Sequence, residues 1–223
     1  MTNKEMTFEN YIEDTSNCFA ITACRALVRG KGYNPLLIYG ASGCGKTHLL
    51  AATKNAIEKE YPDKRVGYFT ANEVVCRFLE RIREEDSLRT AIYEEYLGYD
   101  VFLLDGAEEM IFKEGIQEEI FHLIYTLVDN GRQVVVACAL KPKRLRTLFK
   151  RLTKSLEKLC VCPLSEPSAD LRKKYAIRTA DELRLDLSES VISYIAKKHN
   201  RLIPIRGEIL ALRLMSDSDL RTL

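Results

Sequence analysis

The 223-residue sequence has no tryptophan, only three histidines and almost no excess of charge, since 34 basic residues balance 32 acidic ones. This near-neutral balance gives no global sign of a nucleic-acid binder. No uncharged stretch reaches the ~18 apolar residues that a membrane-spanning helix needs. Charged residues also interrupt residues 1–14, where a signal peptide would carry its apolar run. We therefore expect a cytoplasmic protein that makes no contact with a membrane.

The sequence also lacks the cysteine and histidine clusters that bind zinc. None of its seven cysteines forms a Cys-x-x-Cys pair, and three histidines are too few to complete the usual ligand sets. Most of the cysteines lie in apolar runs, as Cys138 does. We expect reduced, buried thiols rather than disulfides or metal ligands.

Short apolar runs alternate with longer helical segments in the first three quarters of the chain. Strands are expected at residues 35–39, 65–69, 101–104, 133–138 and 159–162, and helices at 47–60, 71–96 and 116–129. Strands that are apolar throughout and separated by helices predict an α/β fold with a five-stranded parallel sheet, covered on both faces.

After Pro163 the strand signals stop, and helices are expected at residues 167–181, 188–200 and 205–215. The sequence thus predicts an α/β base over residues 1–165, followed by a small all-helical lid over residues 166–223.

A phosphate-binding loop lies between the first predicted strand and the helix after it, in the context that the motif G-x-x-x-x-G-K-[ST] requires. Its residues are Gly40, Ala41, Ser42, Gly43, Cys44, Gly45, Lys46 and Thr47, with His48 following. Glycines let backbone N–H groups converge on phosphate oxygens, and the helix N-terminus favours an anion. We expect Lys46 to reach the β- and γ-phosphates and the Thr47 hydroxyl to bind Mg²⁺.

A phosphate loop of this kind needs a carboxylate at the end of a neighbouring strand to hold Mg²⁺. Asp105 follows the apolar run 101–104 and supplies it. Asp105 and Thr47 are therefore the predicted Mg²⁺ residues, with ATP or ADP as the nucleotide.

With these motifs in place, the sequence resembles the AAA+ domain of the bacterial replication initiator DnaA family. The similarity runs from about residue 7 to 214 and is most specific around the phosphate loop. It is carried by residues 8–12, 16–17, 33–50, 117–121 and 142–145. The resemblance implies a three-layer AAA+ P-loop domain with a helical lid.

The resemblance also implies roles for residues outside the loop. Tyr11, Ile12 and Asn17 match the segment that borders the adenine in the family. Arg206 falls where the family has its sensor 2 arginine, at the start of the last lid helix. An arginine there could bind the γ-phosphate and report ATP against ADP.

The chain departs from the family pattern at the second acidic residue of the third strand, where Gly106 follows Asp105. This acid would polarise the attacking water. Glu108 and Glu109 lie two and three residues further on, and we expect this offset to aim them elsewhere.

Two further catalytic elements differ from the family pattern. The polar sensor 1 pair is replaced by Cys138 and Ala139, and the arginine finger position holds Ser155. Lys154 or Arg151 could substitute for the finger, although a lysine lacks the planar fork of a guanidinium. These changes predict nucleotide binding with weak or no hydrolysis; catalytic residues are left unassigned.

Residues 141–160 concentrate basic side chains, eight against one acid. The candidate patch comprises Lys143, Arg144, Lys150, Arg151 and Lys154. It is either a solvated helix face or charge at a subunit junction, or it is a surface for nucleic acid or an acidic partner. We expect no helix-turn-helix after the lid, and any DNA binding is therefore expected to be weak and not sequence-specific.

The sequence thus predicts an ATP-binding protein that acts in replication initiation or its regulation, through nucleotide-dependent assembly with an AAA+ initiator or with itself. Two alternatives stay open at this point: an active ATPase that serves as a helicase loader, and a structural partner that binds no nucleotide.

Overall fold

The computed structural model describes residues 5–82, 86–110, 114–139 and 159–219. The α-helices are α1 (Cys18–Val28), α2 (Lys46–Glu60), α3 (Ala71–Ile82), α4 (Asp86–Leu97), α5 (Glu114–Asp129), α6 (Ala169–Glu182), α7 (Glu189–Lys198) and α8 (Leu202–Asp219). The strands are β1 (Leu36–Tyr39), β2 (Val66–Thr70), β3 (Val101–Asp105), β4 (Gln133–Cys138) and β5 (Cys160–Pro163). A short 3₁₀ helix follows β3 at Ala107–Met110.

The five strands form one parallel sheet in the order β2-β3-β4-β1-β5, which confirms the fold class predicted from the sequence. Tyr39 pairs with both Cys138 and Pro163, and Thr70 pairs with Asp105. The carboxyl ends of the strands therefore meet at one edge of the sheet, where the loop after β1 and Asp105 both lie.

Helices cover both faces of the sheet. Alternate residues of each strand point to opposite faces, so β1 and β3 each contribute to a hydrophobic cluster on both faces. Leu37 and Leu104 pack with side chains of α3, α4 and α5, whereas Ile38 and Leu103 pack with α1 and α2. Each fully buried side chain of this size stabilises the fold by about 1.5–3 kcal/mol. This double-sided burial explains why the strands are apolar throughout.

Two helical features differ from the sequence prediction. The predicted helix 71–96 is two helices, α3 and α4, and α1 was not predicted at all. The buried residues of α1 recur at helical spacing: Ala20, Ile21, Cys24, Leu27 and Val28. The periodic signal for α1 was therefore present in the sequence.

The helices α6, α7 and α8 form a second compact unit around a small core that includes Ala176, Ile192 and Ile205. Ser168 caps the start of α6, since its Oγ accepts a hydrogen bond from the Leu171 N–H at 3.0 Å.

The second unit comprises Ile12–Cys18 and Ser165–Leu223, and the first comprises Met1–Tyr11 and Phe19–Leu164. On sequence grounds residues 12–18 fall in the base, whereas in the structure they group with the helices. The Ser165 N–H donates to the Ser16 carbonyl at 3.0 Å, which ties this segment to the start of the helical unit. No helix among the described residues is both long and apolar enough to cross a membrane.

Candidate nucleotide-binding site

The loop between β1 and α2 follows a path that its glycines permit. Gly43 and Gly45 have φ angles of 84° and 92°, in the left-handed region that favours glycine. Gly40 has no such angle, but a Cβ there would lie 2.3 Å from the Leu164 carbonyl oxygen. These positions need glycine for two different reasons, backbone conformation and close approach.

The Lys46 side chain is folded back over the loop and is buried. Its Nζ donates hydrogen bonds to the Gly40 carbonyl at 2.7 Å and to the Ala41 carbonyl at 3.0 Å. The first N–H groups of α2 have no partner within the helix ladder, and the helix dipole is positive at this end. The ammonium and the N-terminus of α2 together favour an anion at the loop.

The Asp105 carboxylate lies beside the start of α2. Its Oδ2 accepts hydrogen bonds from the Thr47 hydroxyl at 2.7 Å and from the Tyr68 hydroxyl at 2.8 Å. Burial, and then the neighbouring Asp105 carboxylate, raise the pKa of the Tyr68 hydroxyl well above its ordinary value, so it stays protonated and donates.

Tyr68 was not predicted as a site residue. It is the one tyrosine of β2, two residues before the strand ends, and it lies on the strand that pairs with β3. A polar side chain near the end of the strand next to Asp105 was the available signal.

The donor set around Thr47 and Asp105 fits Mg²⁺. A hydroxyl and a carboxylate are hard oxygen ligands, and Mg²⁺ is usually held by one or two protein ligands together with phosphates and water. Among the described residues no group of three or more His, Cys, Asp or Glu side chains could hold a metal ion by itself. The Thr47 hydroxyl and the Asp105 carboxylate, joined by a hydrogen bond of 2.7 Å, would supply two such oxygen ligands.

The segment before α1 contacts the phosphate loop through Tyr11, and it contacts the start of α2 through His48. The Tyr11 hydroxyl donates to the Cys44 carbonyl at 3.5 Å, and its ring meets the edge of the His48 ring at 4.9 Å between centroids. His48 Nε2 lies 3.1 Å from the Thr7 carbonyl and 2.9 Å from Asn10 Oδ1. The structure therefore brings Tyr11 to the loop, and directs His48 toward the N-terminal segment.

The other predicted binding residues belong to the helical unit. Asn17 is buried; its Oδ1 accepts from the Asp14 N–H at 3.0 Å and its Nδ2 donates to the Ile12 carbonyl at 2.9 Å. These bonds shape the turn over residues 12–17. The adenine-side roles of Ile12 and Asn17 stay predictions.

Arg206 is engaged within the helical unit. One of its guanidinium nitrogens donates to Glu182 Oε2 at 3.0 Å, and this hydrogen bond raises the Arg206 pKa above its ordinary value. Glu182 also accepts from Arg178 Nε at 3.1 Å. The sensor 2 role of Arg206 stays a prediction.

The chain turns sharply where the family would have its second acidic residue. Gly106 has a φ of 76°, in the left-handed region. At this position the chain therefore lacks a carboxylate and also has a backbone conformation that favours glycine. Glu108 Oε2 accepts a hydrogen bond from the Ala139 N–H at 2.7 Å, which fixes that carboxylate at the end of β4. Cys138, at the sensor 1 position, is fully buried.

The remaining predicted residues, Ser155 and the basic patch of Lys143, Arg144, Lys150, Arg151 and Lys154, lie outside the described residues.

A comparison with known families finds a match to the first three quarters of the chain. The family model described as the bacterial DnaA ATPase domain matches residues 2–162. The chromosomal replication initiator protein DnaA of Borrelia duttonii strain Ly is 34% identical over 197 residues, which are 87% of this chain and 40% of that protein. The chain thus spans about 40% of the length of such relatives.

Solved structures give the same result. Domain III of the Thermotoga maritima replication initiation protein DnaA is 30% identical, with a TM-score of 0.85, and the match covers 96% of this chain and 90% of that one. A replication initiator DnaA bound to AMPPCP and single-stranded DNA is 29% identical, with a TM-score of 0.82, covering 94% of this chain and 65% of that one.

Proposed function

Because the chain belongs to the family of the bacterial DnaA ATPase domain, we propose that it is an AAA+ module that binds ATP or ADP together with Mg²⁺. We further propose that it acts in the initiation of DNA replication or in the control of that step. The relatives named above are replication initiators, and one of them is seen with the ATP analogue AMPPCP.

The observation that carries the proposal is the 2.7 Å hydrogen bond between the Thr47 hydroxyl and Asp105 Oδ2. It joins the first turn of α2 to the end of β3, directly after a loop in which Gly43 and Gly45 take left-handed conformations. Backbone N–H groups of this loop would bind phosphate oxygens, and Lys46 would bind the β- and γ-phosphates. Thr47 and Asp105 would hold Mg²⁺, which supplies positive charge against the phosphates when bound.

Tyr11, Ile12 and Asn17 would border the adenine, and Arg206 would bind the γ-phosphate. In the structure Arg206 is already paired with Glu182. A γ-phosphate would therefore have to displace Glu182 from the Arg206 guanidinium. Because ADP has no γ-phosphate, the response of the lid would be specific for ATP.

We expect weak or no hydrolysis. Gly106 places a left-handed turn where a water-polarising carboxylate would follow Asp105. Glu108 is occupied by the Ala139 N–H, and Ala139 has no side chain that could orient a water. The module would then act by nucleotide-dependent assembly, either with an AAA+ initiator or with further copies of itself.

Nucleic-acid binding by this chain is proposed to be weak and governed by phosphate contacts. The relative with single-stranded DNA motivates the idea, and the basic segment 141–160 supplies charge. Such contacts release counterions and carry little sequence information. Competition between origin and scrambled duplexes at two salt concentrations tests this. A variant with Lys143, Arg144, Lys150 and Lys154 changed to Ala should flatten the salt dependence, whereas a salt-resistant preference for the origin would contradict it.

The decisive experiment is titration with a fluorescent ATP analogue in the presence of Mg²⁺. Lys46→Ala should weaken binding by about 1.5–3 kcal/mol, since it removes a charge-assisted phosphate contact. Lys54→Ala is the matched control, because Lys54 lies on the same helix and pairs only with Glu58 at 3.3 Å in the described contacts. Equal affinity of the wild type and Lys46→Ala would refute the proposal.

A further inference from the structure

Tyr68 links the sheet to the carboxylate that would hold Mg²⁺. Its backbone pairs with Leu103, and its ring packs against the apolar cluster shared by α1, α2 and the sheet. From there its hydroxyl extends toward the carboxyl ends of the strands and donates to Asp105 Oδ2 at 2.8 Å. The ring is thus fixed by packing, and the hydroxyl by one hydrogen bond.

Asp105 depends on its neighbours for orientation. The terminal torsion of an aspartate is broad, so packing alone does not fix which oxygen faces a ligand. Oδ2 takes both hydroxyls, from Thr47 and Tyr68, and among the described residues Oδ1 accepts no hydrogen bond. Because Thr47 is itself an expected metal ligand, Tyr68 is the donor that does not depend on the metal.

The residue after Asp105 gives no help in this chain. Gly106 has no side chain, and the nearest atom to a Cβ built there would be Glu109 Oε1 at 3.6 Å. Glu108, which could approach from the following 3₁₀ helix, is bonded to the Ala139 N–H. The support of the Asp105 carboxylate therefore falls on Tyr68.

We propose that Tyr68 is a positioning residue, which orients the Asp105 carboxylate for the Mg²⁺–nucleotide complex. This inference rests on the proposed function, since it concerns the same site. It predicts a specific defect: without the Tyr68 hydroxyl, the contribution of Mg²⁺ to nucleotide affinity falls, whereas binding through the loop without metal does not change.

The test uses the full chain and a fluorescent ATP analogue, titrated once with Mg²⁺ and once with EDTA. Tyr68→Phe keeps the ring and removes only the hydroxyl. We expect the affinity in EDTA to stay within about twofold of wild type, and the gain from Mg²⁺ to fall by about tenfold, as for outer partners of other metal ligands. Tyr61→Phe is the control, because Tyr61 packs on the same cluster and its hydroxyl lies 3.5 Å from Glu60.

A double variant adds an internal check. Asp105→Asn should abolish the gain from Mg²⁺, and adding Tyr68→Phe to it should cost nothing more, because there is then no carboxylate to orient. Full retention of the gain in Tyr68→Phe would overturn the inference and leave the proposed function intact. An equal loss in EDTA would also overturn it, since Tyr68 would then act on the fold. A wild type that binds no nucleotide would refute the proposed function itself.

Discussion

Replacing Gly106 tests whether the turn after Asp105 excludes the acidic residue that the family has there. Its φ of 76° lies in the left-handed region, and a Cβ would make only ordinary contacts, the nearest at 3.6 Å from Glu109 Oε1. The cost of Gly106→Ala therefore comes from the backbone conformation and not from a collision. Gly106→Asp would add a negative charge close to Glu109 as well.

The magnitude follows from two opposing effects. An L-residue in the left-handed conformation costs about 1–2 kcal/mol. Replacing glycine by alanine also reduces the conformational freedom of the unfolded chain, which offsets about 0.4–1 kcal/mol of this cost. Gly106→Ala should thus lower the free energy of unfolding by about 1 kcal/mol, which is about 2–4 °C in Tm for a chain of this size. Asp tolerates the left-handed region better than Ala, but repulsion from Glu109 should cancel that advantage at low salt.

Scanning calorimetry of the full chain gives the measurement. Gly115→Ala is the matched control, because Gly115 lies in the first turn of α5 with a φ outside the left-handed region and no described atom within 4 Å of its Cβ. That substitution should stabilise the chain by about 0.5–1 kcal/mol. If Gly106→Ala were as stable as Gly115→Ala, the turn would not be left-handed and the account of the missing acid would fail.

Three further outcomes are expected. Phosphate release should stay near background in the wild type and in Asp105→Ala alike; robust turnover that depends on Asp105 would instead favour the active-ATPase alternative. Burial raises the pKa of the Cys24 thiol to about 12, so native alkylation at pH 8 should label exposed Cys76 and spare Cys24; equal labelling would contradict the burial of Cys24. Hydrogen bonds from Lys198 and then His199 lower the pKa of Glu208. The ionised Glu208 stabilises the lid above the ordinary glutamate pKa, and this stabilisation is lost as the pH falls through the lowered pKa. Glu208→Gln should therefore make the free energy of unfolding depend less on pH in the acid range. An unchanged pH dependence would argue against these hydrogen bonds.

Much of the fold could be predicted because the strands bury both faces. A run such as residues 101–104 has no polar alternation, which indicates a central parallel strand wherever helices flank it. The division between α3 and α4 was missed, since no glycine or proline marks it. The order of strands was not predictable either, because β5 pairs with β1 across more than a hundred residues of intervening sequence.

In the site too, features of one contiguous segment could be predicted, whereas contacts between distant segments could not. The phosphate loop is contiguous, so its residue types and spacing predict its conformation, and Asp105 follows from the end of its strand. Tyr68 comes to Asp105 only through the register between β2 and β3, and Glu108 reaches the Ala139 N–H only because β3 and β4 end side by side. Contacts set by strand register cannot be predicted from one local segment.

The central place of β1 has a consequence for the order of events during synthesis. β1 lies between β4 and β5, and the Gly40 N–H that begins the loop donates to the Cys138 carbonyl at 3.1 Å. Gly40 also packs against Leu164. As the chain leaves the ribosome, β1 therefore emerges with both edges unpaired and waits for strands encoded far downstream. A nascent chain that has not yet exposed residue 164 has the complete loop sequence but lacks the neighbours that shape it.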